Sequence, residues 1–291
     1  MLQARLNHYF VITSYINLAK PRAILPHIIT STAAMFLALP GLPQINTLVF
    51  TIIGGSCVAI ASNTFNSYLD RDIDALMKRT SRRPLPSGFI KPENALFFGT
   101  SAGILGAAIL SIFIGWVPTM LALLALLYYI LPYTLLLKRR TYWSAVIGSG
   151  IGTLPPLIGW WAVTDKIEFT PFLLSAIIML WTLPHFWTLA IFRRDDYQRA
   201  GLKMLPEKGA EMWIFASSLL LIFLTFLLAT VAHLTLLYLI FASILNAVLL
   251  SLLLGILLRK TQVATQCLYR YSIAYITLLF IAIIADRLIQ I

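Results

Sequence analysis

The feature that most constrains the fold is a series of apolar stretches, each long enough to cross a bilayer. A transmembrane helix needs about 20 predominantly apolar residues. Nine such stretches are present, at 22–39, 47–69, 94–114, 117–137, 143–162, 169–192, 212–231, 234–258 and 269–288. Only 11% of the 291 residues are charged, against about 25% in a soluble domain. The sequence therefore predicts one all-α membrane domain, residues 1–291, built from about nine transmembrane helices.

The charges of the connecting segments predict the orientation of this bundle. If the N-terminus is cytoplasmic, 20 of the 22 basic residues fall in cytoplasmic segments, and only Lys166 and Arg287 fall outside. Cytoplasmic loops of membrane proteins carry such an excess of Lys and Arg. The net charge of +11 is therefore a sign of topology, and we expect membrane lipid rather than nucleic acid as a partner.

The ends and turns of the stretches refine this picture. The first 20 residues are too polar for a signal peptide, and we expect direct insertion into a bacterial plasma membrane as a multi-pass protein. Short turns join the third and fourth stretches at residues 115–118, and the seventh and eighth near His233. The long polar loops then lie on the cytoplasmic side. Small residues at Gly99, Gly103 and Gly106 predict close contacts between helices.

Three polar residues follow one another at helical spacing where the second stretch ends. Asn66, Asp70 and Asp74 are four residues apart, so a continuing helix places all three on one face, whereas Asp72 points the other way. Carboxylates at the edge of a membrane are costly unless they are neutralised. Mg²⁺ takes oxygen ligands from one or two carboxylates and completes its shell with water and substrate phosphates. The spacing therefore predicts a Mg²⁺ site.

Basic residues come directly after this acidic face. Lys78, Arg79, Arg82 and Arg83 lie in the same loop. Arginine binds phosphate oxygens in a bidentate manner, so metal-binding acids beside arginines are typical of a diphosphate site. The alternative is a solvated loop that only sets the topology. Such a loop needs the arginines, but it does not need an acidic face that begins inside an apolar stretch.

The two polar loops together resemble a known family. Asn66, Asp70 and Asp74, followed by Met77, Arg79-Thr80 and Arg82-Arg83-Pro84-Leu85, resemble the first aspartate-rich motif of the UbiA superfamily of intramembrane prenyltransferases. The Arg-Thr-x-x-Arg-Pro-Leu continuation and the PHFW…FR-x-x-DY pattern of residues 184–197 are similar to its haem-farnesylating branch. Quinone-type members carry a second Asp-x3-Asp in this loop, where the present chain has Arg193 and Tyr197.

The resemblance implies a reaction and a set of roles. Farnesyl diphosphate would donate its farnesyl group to a vinyl group of haem B, and water would add, giving haem O and diphosphate. The implied catalytic residues are Asn66, Asp70, Asp74 and Lys203. The implied diphosphate ligands are Arg79, Arg82, Arg83, Arg193, Arg194 and Lys203. Asn66, Asp70 and Asp74 would bind the metal, and Asp196 would be either a further metal ligand or the partner of an arginine. A haem A-forming enzyme or a terminal oxidase would receive the product.

His185 is the most conspicuous single residue of the apolar stretches. It follows Pro184 in the sixth stretch, with Trp181, Phe186 and Trp187 nearby. An ionisable side chain inside a membrane helix is a functional hypothesis by default. His185 would serve as an axial ligand of a haem substrate or would form a hydrogen bond between helices. His27, in the first stretch, is the weaker alternative for the haem ligand.

Other functions remain open at this point. A prenyltransferase acting on an aromatic acid, a quinone precursor or chlorophyllide would need the same diphosphate site. An ion-coupled secondary transporter would use Asp70 and Asp74 as ligands of the coupling ion, although transporters place such acids near the bilayer midplane. A structural partner of an oxidase is a third alternative, and it leaves the acidic face unexplained.

Overall fold

The fold is known from a computed structural model, which describes the backbone of residues 2–204, 209–259 and 261–291, and side chains within 11–204, 209–258 and 261–291. Within these ranges the regular structure is helical and contains no strand. The helices are α1 (Leu2–Ala19), α2 (Pro21–Ala38), α3 (Ile45–Leu69), α4 (Arg71–Leu76), α5 (Pro92–Phe113), α6 (Trp116–Tyr128), α7 (Ser144–Gly148), α8 (Leu154–Trp161), α9 (Phe169–Phe192), α10 (Arg194–Arg199), α11 (Ala210–Val231), α12 (Leu236–Arg259) and α13 (Gln262–Gln290). A π-helix, Tyr129–Leu137, continues α6, and a 3₁₀ helix, Ser149–Thr153, joins α7 to α8.

Seven helices of the described chain are long and apolar enough to cross a membrane. They are α3, α5, α6 with its π-helical continuation, α9, α11, α12 and α13. Bulky apolar side chains on them face outward, among them Phe97 and Trp116, which are 77% and 76% exposed. An exposed apolar surface of this kind belongs in lipid. The protein is therefore a helical, multi-pass membrane protein.

The two remaining predicted stretches form helices of other kinds. Residues 22–39 correspond to α2, which has 18 residues and contains Pro26. Residues 143–162 are divided among α7, the 3₁₀ helix and α8. Pro155 and Pro156 lie in the first turn of α8, and proline cannot donate the backbone hydrogen bond that a continuous helix needs there.

The short turns lie where the sequence predicts them. Gly115, between α5 and α6, has φ 140°, a conformation that L side chains rarely adopt. His233, between α11 and α12, has φ 50°. The Asp286 carboxylate accepts hydrogen bonds from the backbone N–H groups of Thr235 and Tyr238, so it satisfies the first turn of α12 and joins that helix to α13.

Small residues allow two pairs of helices to approach closely. A Cβ on Gly106 of α5 would lie 2.7 Å from the Gly54 carbonyl oxygen of α3, and a Cβ on Gly103 would lie 3.3 Å from Ala61, as the spacing of small residues predicts. A closer approach joins α8 to α2, where a Cβ on Gly159 would lie 2.0 Å from the Ser31 carbonyl oxygen. The largest core cluster contains buried residues of α2, α8, α9, α11, α12 and α13.

Candidate active site

The three predicted metal ligands share one buried face. Although α3 ends at Leu69, the Asp70 N–H donates to the Asn66 carbonyl (2.9 Å) and the Asp74 N–H donates to the Asp70 carbonyl (2.8 Å). These bonds keep the helical spacing across the junction with α4. Asn66, Asp70 and Asp74 are only 4%, 1% and 2% exposed. The structure thus brings the acidic face together, as predicted.

Each buried carboxylate of this face has a cationic partner. Asp74 Oδ2 lies 2.7 Å from Arg83 Nη1, as expected for a loop in which acids and arginines cooperate. Asp70 Oδ2 is paired with Lys138 Nζ, and Asn66 Nδ2 also donates to it at 2.8 Å. The attraction within these pairs offsets the cost of removing the carboxylates from water.

Two lysines of this site were not singled out by the sequence. In the sequence, Lys138 is one of three consecutive basic residues, which the charge asymmetry already explains as a topology signal. Lys20 lies between α1 and α2 with φ 54°, and its Nζ donates to Asn66 Oδ1 at 3.4 Å. Burial, assisted by the nearby charge of Arg83, lowers the pKa of Lys20 to about 7. Both lysines directly flank apolar stretches, and sequence position alone does not distinguish such a lysine from a topology signal.

The π-helix Tyr129–Leu137 forms another side of the site. Thr134 Oγ1 donates to the Tyr129 carbonyl (2.7 Å) and accepts from Asn66 Nδ2 (3.1 Å). The Lys138 N–H donates to the Tyr133 carbonyl five residues earlier (2.9 Å). The wider turn therefore aims Thr134 and Lys138 at the acidic face. π-helical turns are frequent at functional sites.

The donor set fits Mg²⁺. Asp70 Oδ1 is buried, and no hydrogen-bond partner for it is found in the described chain. A buried carboxylate oxygen without a partner is costly, and a hard cation would satisfy it. The two carboxylates and one amide oxygen of Asn66, Asp70 and Asp74 are ligands that Mg²⁺ accepts, with phosphate oxygens and water completing its shell.

The second polar loop meets the first through Asp196. This residue of α10 is 5% exposed. Its Oδ1 accepts from the Lys78 backbone N–H at 3.0 Å and lies 2.5 Å from Arg199 Nη2. Burial raises the pKa of this carboxyl, but the bonds from Arg199 and Lys78 outweigh it and hold the pKa below its usual value. This pairing favours the interpretation of Asp196 as an arginine partner over that of a metal ligand.

The remaining predicted diphosphate ligands lie at different depths. Arg193 is half-buried, with its guanidinium 4.5 Å from the ring centre of Phe192. Arg79 is exposed and interacts electrostatically with the buried Tyr197. Arg82, Arg194 and Lys203 are exposed, and none of the three forms an ion pair with a described residue. The structure therefore assembles Arg83 with the acids and leaves these three facing solvent.

Asp72 differs from its neighbours, as the helical spacing predicts. Its carboxylate accepts from both terminal nitrogens of Arg139 at 2.7 Å. The side chain is 61% exposed. The hydrogen bonds from Arg139, more than any other effect, lower the pKa of Asp72. This solvent-facing pair is separate from the buried face of Asp70 and Asp74.

The His185 side chain of α9 faces α13 and is surrounded by aromatic rings and a serine hydroxyl. Its ring is stacked on Trp181 (centroids 4.9 Å apart) and on Tyr269 (5.0 Å). Its Nδ1 lies 2.8 Å from the Ser272 Oγ. Neither Tyr269 nor Ser272 was expected from the sequence, since both lie in the last apolar stretch. The ring of His27 makes no hydrogen bond or ring contact with a described residue.

Comparison with protein families agrees with this geometry. Residues 27–283 match the model of the UbiA prenyltransferase family. The chain is 39% identical to protoheme IX farnesyltransferase of Symbiobacterium thermophilum over 97% of its own length and 96% of that relative. It is 40% identical to protoheme IX farnesyltransferase of Roseiflexus castenholzii over 95% of its own length, but it spans about half of that relative, 52%.

Solved structures show the same fold at low identity. A digeranylgeranylglyceryl phosphate synthase superposes with a TM-score of 0.77 at 18% identity, over 95% of this chain and 98% of the other. A UbiA homologue from Archaeoglobus fulgidus bound to DMAPP and Mg²⁺ superposes with a TM-score of 0.69 at 17% identity, over 94% and 99%. The chain belongs to the UbiA prenyltransferase family.

Proposed function

We propose that the protein transfers the farnesyl group of farnesyl diphosphate to a vinyl group of haem B and adds water, giving haem O and diphosphate. The observation that carries the proposal is the buried cluster of Asn66, Asp70 and Asp74 with its cations. Lys20, Arg83 and Lys138 surround two carboxylates, so the site has an excess of basic groups. Such a site suits a diphosphate that arrives with Mg²⁺.

Each part of the cluster has a role in this proposal. Asn66, Asp70 and Asp74 would hold Mg²⁺, which neutralises charge on the leaving diphosphate when it is bound. Arg83 and Lys138 would then be released from the carboxylates, and Lys20 from the Asn66 amide oxygen, to bind phosphate oxygens. The other predicted ligands would reach the diphosphate from the two loops; they are Arg79, Arg82, Arg193, Arg194 and Lys203. Donors aimed at developing charge lower the barrier to departure of the leaving group.

The acceptor half of the reaction calls for a dry cavity. When the diphosphate leaves with the bonding electron pair, the farnesyl C1 would bond to the terminal vinyl carbon. Water would capture the cation left beside the porphyrin ring and lose a proton. Earlier access of water would quench the allylic cation. The stacked Tyr129 and Tyr133, with centroids 5.7 Å apart, lie beside the acidic face and would shield this step.

The proposal extends to the setting of the enzyme. It includes nine spans and a cytoplasmic N-terminus. The two spans in addition to the seven long apolar helices would be α2 and the broken α7–α8 segment. It also includes a bacterial plasma membrane and delivery of haem O to a haem A-forming enzyme or an oxidase. The relatives named protoheme IX farnesyltransferase support the choice of haem as acceptor.

Acceptor competition tests the proposed substrate. Purified protein would receive radiolabelled farnesyl diphosphate and Mg²⁺ with haem B, an aromatic acid or chlorophyllide. We expect label to appear on haem alone. Label on the aromatic acid would replace the proposal with a quinone-type reaction. No consumption of the diphosphate with any acceptor would contradict prenyl transfer and favour an ion-coupled transporter.

A further inference from the structure

Ser272 is a polar residue in a membrane-spanning helix, and it is only 3% exposed. Its hydroxyl donates to the Tyr269 carbonyl at 2.7 Å. With its proton in this bond, the Ser272 Oγ accepts from the imidazole of His185, whose Nδ1 lies 2.8 Å away. In the opposite His185 tautomer the serine hydroxyl would turn and donate to Nδ1, so the two arrangements differ in which ring nitrogen has the lone pair.

This hydrogen-bond direction determines the tautomer of His185. A neutral imidazole has one N–H and one lone pair. If Nδ1 carries the proton that Ser272 accepts, Nε2 has the lone pair. Histidines that bind a metal almost always donate their other ring N–H to a partner that fixes the ring and makes the ligand more basic. Here the partner is a hydroxyl supported by a backbone carbonyl.

The surrounding contacts hold this arrangement together. Trp181 Nε1 donates to the Ser272 carbonyl at 2.6 Å, so the ring stacked on His185 is attached to the same residue of α13. Tyr269, whose carbonyl accepts from the Ser272 hydroxyl, is the second ring stacked on His185. The imidazole is thus positioned by α13 although it belongs to α9.

The same group of residues reaches the diphosphate side of the molecule. His185 lies about two turns before the end of α9 at Phe192, and α10, which follows directly, carries Asp196 against the Lys78 backbone of the first polar loop. A substrate bound beside His185 would therefore lie towards the end of the bundle where the two polar loops meet.

We infer that Ser272 is a positioning residue for the haem substrate. Its hydroxyl keeps His185 in the Nδ1–H tautomer, so that Nε2 binds the haem iron axially and aligns the porphyrin for prenyl transfer. The inference rests on the proposed function, since it takes haem B as the acceptor. It goes beyond that function because it assigns a tautomer and a residue of α13 to acceptor binding.

The test is a titration of haem B into the detergent-purified protein without farnesyl diphosphate, followed by absorption and resonance Raman spectra of the reduced complex. We expect an iron–imidazole stretching band in the native protein and its loss in His185→Ala, with added imidazole restoring axial ligation. Ser272→Ala should keep the band but shift it to lower frequency, because the imidazole loses a hydrogen-bond acceptor. It should also weaken haem binding by about tenfold, as is usual for such partners of metal ligands.

Two further variants separate positioning from folding. Ser272→Thr retains a hydroxyl, and we expect it to restore most of the native frequency. Ser251→Ala is the matched control, because Ser251 also donates to a carbonyl three residues earlier but is exposed on α12. It should behave as the native protein does.

The outcomes distinguish this inference from the function on which it rests. An unchanged spectrum in His185→Ala, or a native frequency and affinity in Ser272→Ala, would overturn the inference even if the native protein farnesylates haem. If the native protein shows the iron–imidazole band and its response to Ser272→Ala but never farnesylates haem, the positioning role stands and the proposed function fails.

Discussion

At the residue scale, the site depends on two buried carboxylates, and their surroundings differ from those of a third carboxylate nearby. Asp70 and Asp74 are almost inaccessible to solvent and are paired with Lys138 and Arg83, whereas Asp72 faces solvent with Arg139. All three belong to the same short segment, so the helical period alone separates their roles. The i, i+4 spacing was sufficient to predict this separation from the sequence.

Asp70→Asn should abolish Mg²⁺-dependent consumption of farnesyl diphosphate while the protein still folds. The amide removes a negative charge from the proposed metal site and leaves the shape of the side chain almost unchanged. We expect a loss of about 10²-fold or more in turnover, typical of removing one group that stabilises developing charge. The measurement is the rate of diphosphate release by purified protein.

Asp72→Asn is the matched control for this change. It alters the same type of residue two positions away, on the exposed face. We expect turnover to stay within about twofold of native, because Asp72 is not one of the proposed metal ligands. Folding should not suffer either, since surface ion pairs contribute little to stability. Equal losses in both variants would mean that the buried face is not the metal site.

The residues that the sequence did not reveal are those whose role depends on distant partners. Lys20 and Lys138 come from separate parts of the chain and meet at Asn66 and Asp70. Ser272 belongs to a stretch whose apolar composition predicts only a membrane span. In each case the contact is made by tertiary packing, which leaves no local pattern.

At the element scale, the interruptions of the helices position the chemistry. The junction at Asp70 turns the chain from α3 into α4 without losing the helical spacing, and the π-helix Tyr129–Leu137 aims Thr134 inward. The sequence predicted the apolar stretch 117–137 but not its change of helical type. Pro132, which cannot donate a backbone hydrogen bond, is the one local signal of an irregularity there.

Gly159→Ala should destabilise the protein, because a methyl group at this position would lie 2.0 Å from the Ser31 carbonyl oxygen. Backbone of α2 would have to move away from α8. Overpacking of a close contact costs about 1–3 kcal/mol or more, so we expect a lower melting temperature in detergent. The measurement is thermal unfolding followed by loss of native fluorescence.

Gly55→Ala tests whether this effect is specific to the contact. Gly55 lies within α3, and a Cβ there would meet nothing within 4 Å. Since alanine favours a helix over glycine, Gly55→Ala should be neutral or slightly stabilising. A melting temperature of Gly159→Ala equal to that of Gly55→Ala would contradict the close packing of α2 on α8.

At the scale of the whole molecule, the charge asymmetry predicts which ends of the helices face the cytoplasm. The acidic face, the arginine loop and α10 all belong to segments on the predicted cytoplasmic side. Seven helices meet the length and hydropathy needed for a span, and the sequence predicted each of them. The count of nine stays a prediction, because α2 is short and the α7–α8 segment is broken. The single domain over residues 1–291 also stays a prediction.

Cysteine labelling in intact cells tests the orientation. Cys57 and Cys267 would first be replaced by serine, and one cysteine would be introduced at Ser87 or at Lys166, both of which are exposed. We expect an impermeant maleimide to label Lys166→Cys from outside and Ser87→Cys only after the membrane is opened. The reverse pattern would place the proposed active site on the other side.

The most direct test of the central claim is the mass of the haem that the enzyme produces. Purified protein would be reconstituted with haem B, farnesyl diphosphate and Mg²⁺, and the extracted haems would be separated and weighed by mass spectrometry. We predict a haem heavier by one farnesyl group plus one water, formed only with Mg²⁺ and absent from Asp70→Asn. Recovery of unchanged haem B while the native protein consumes farnesyl diphosphate would contradict the account.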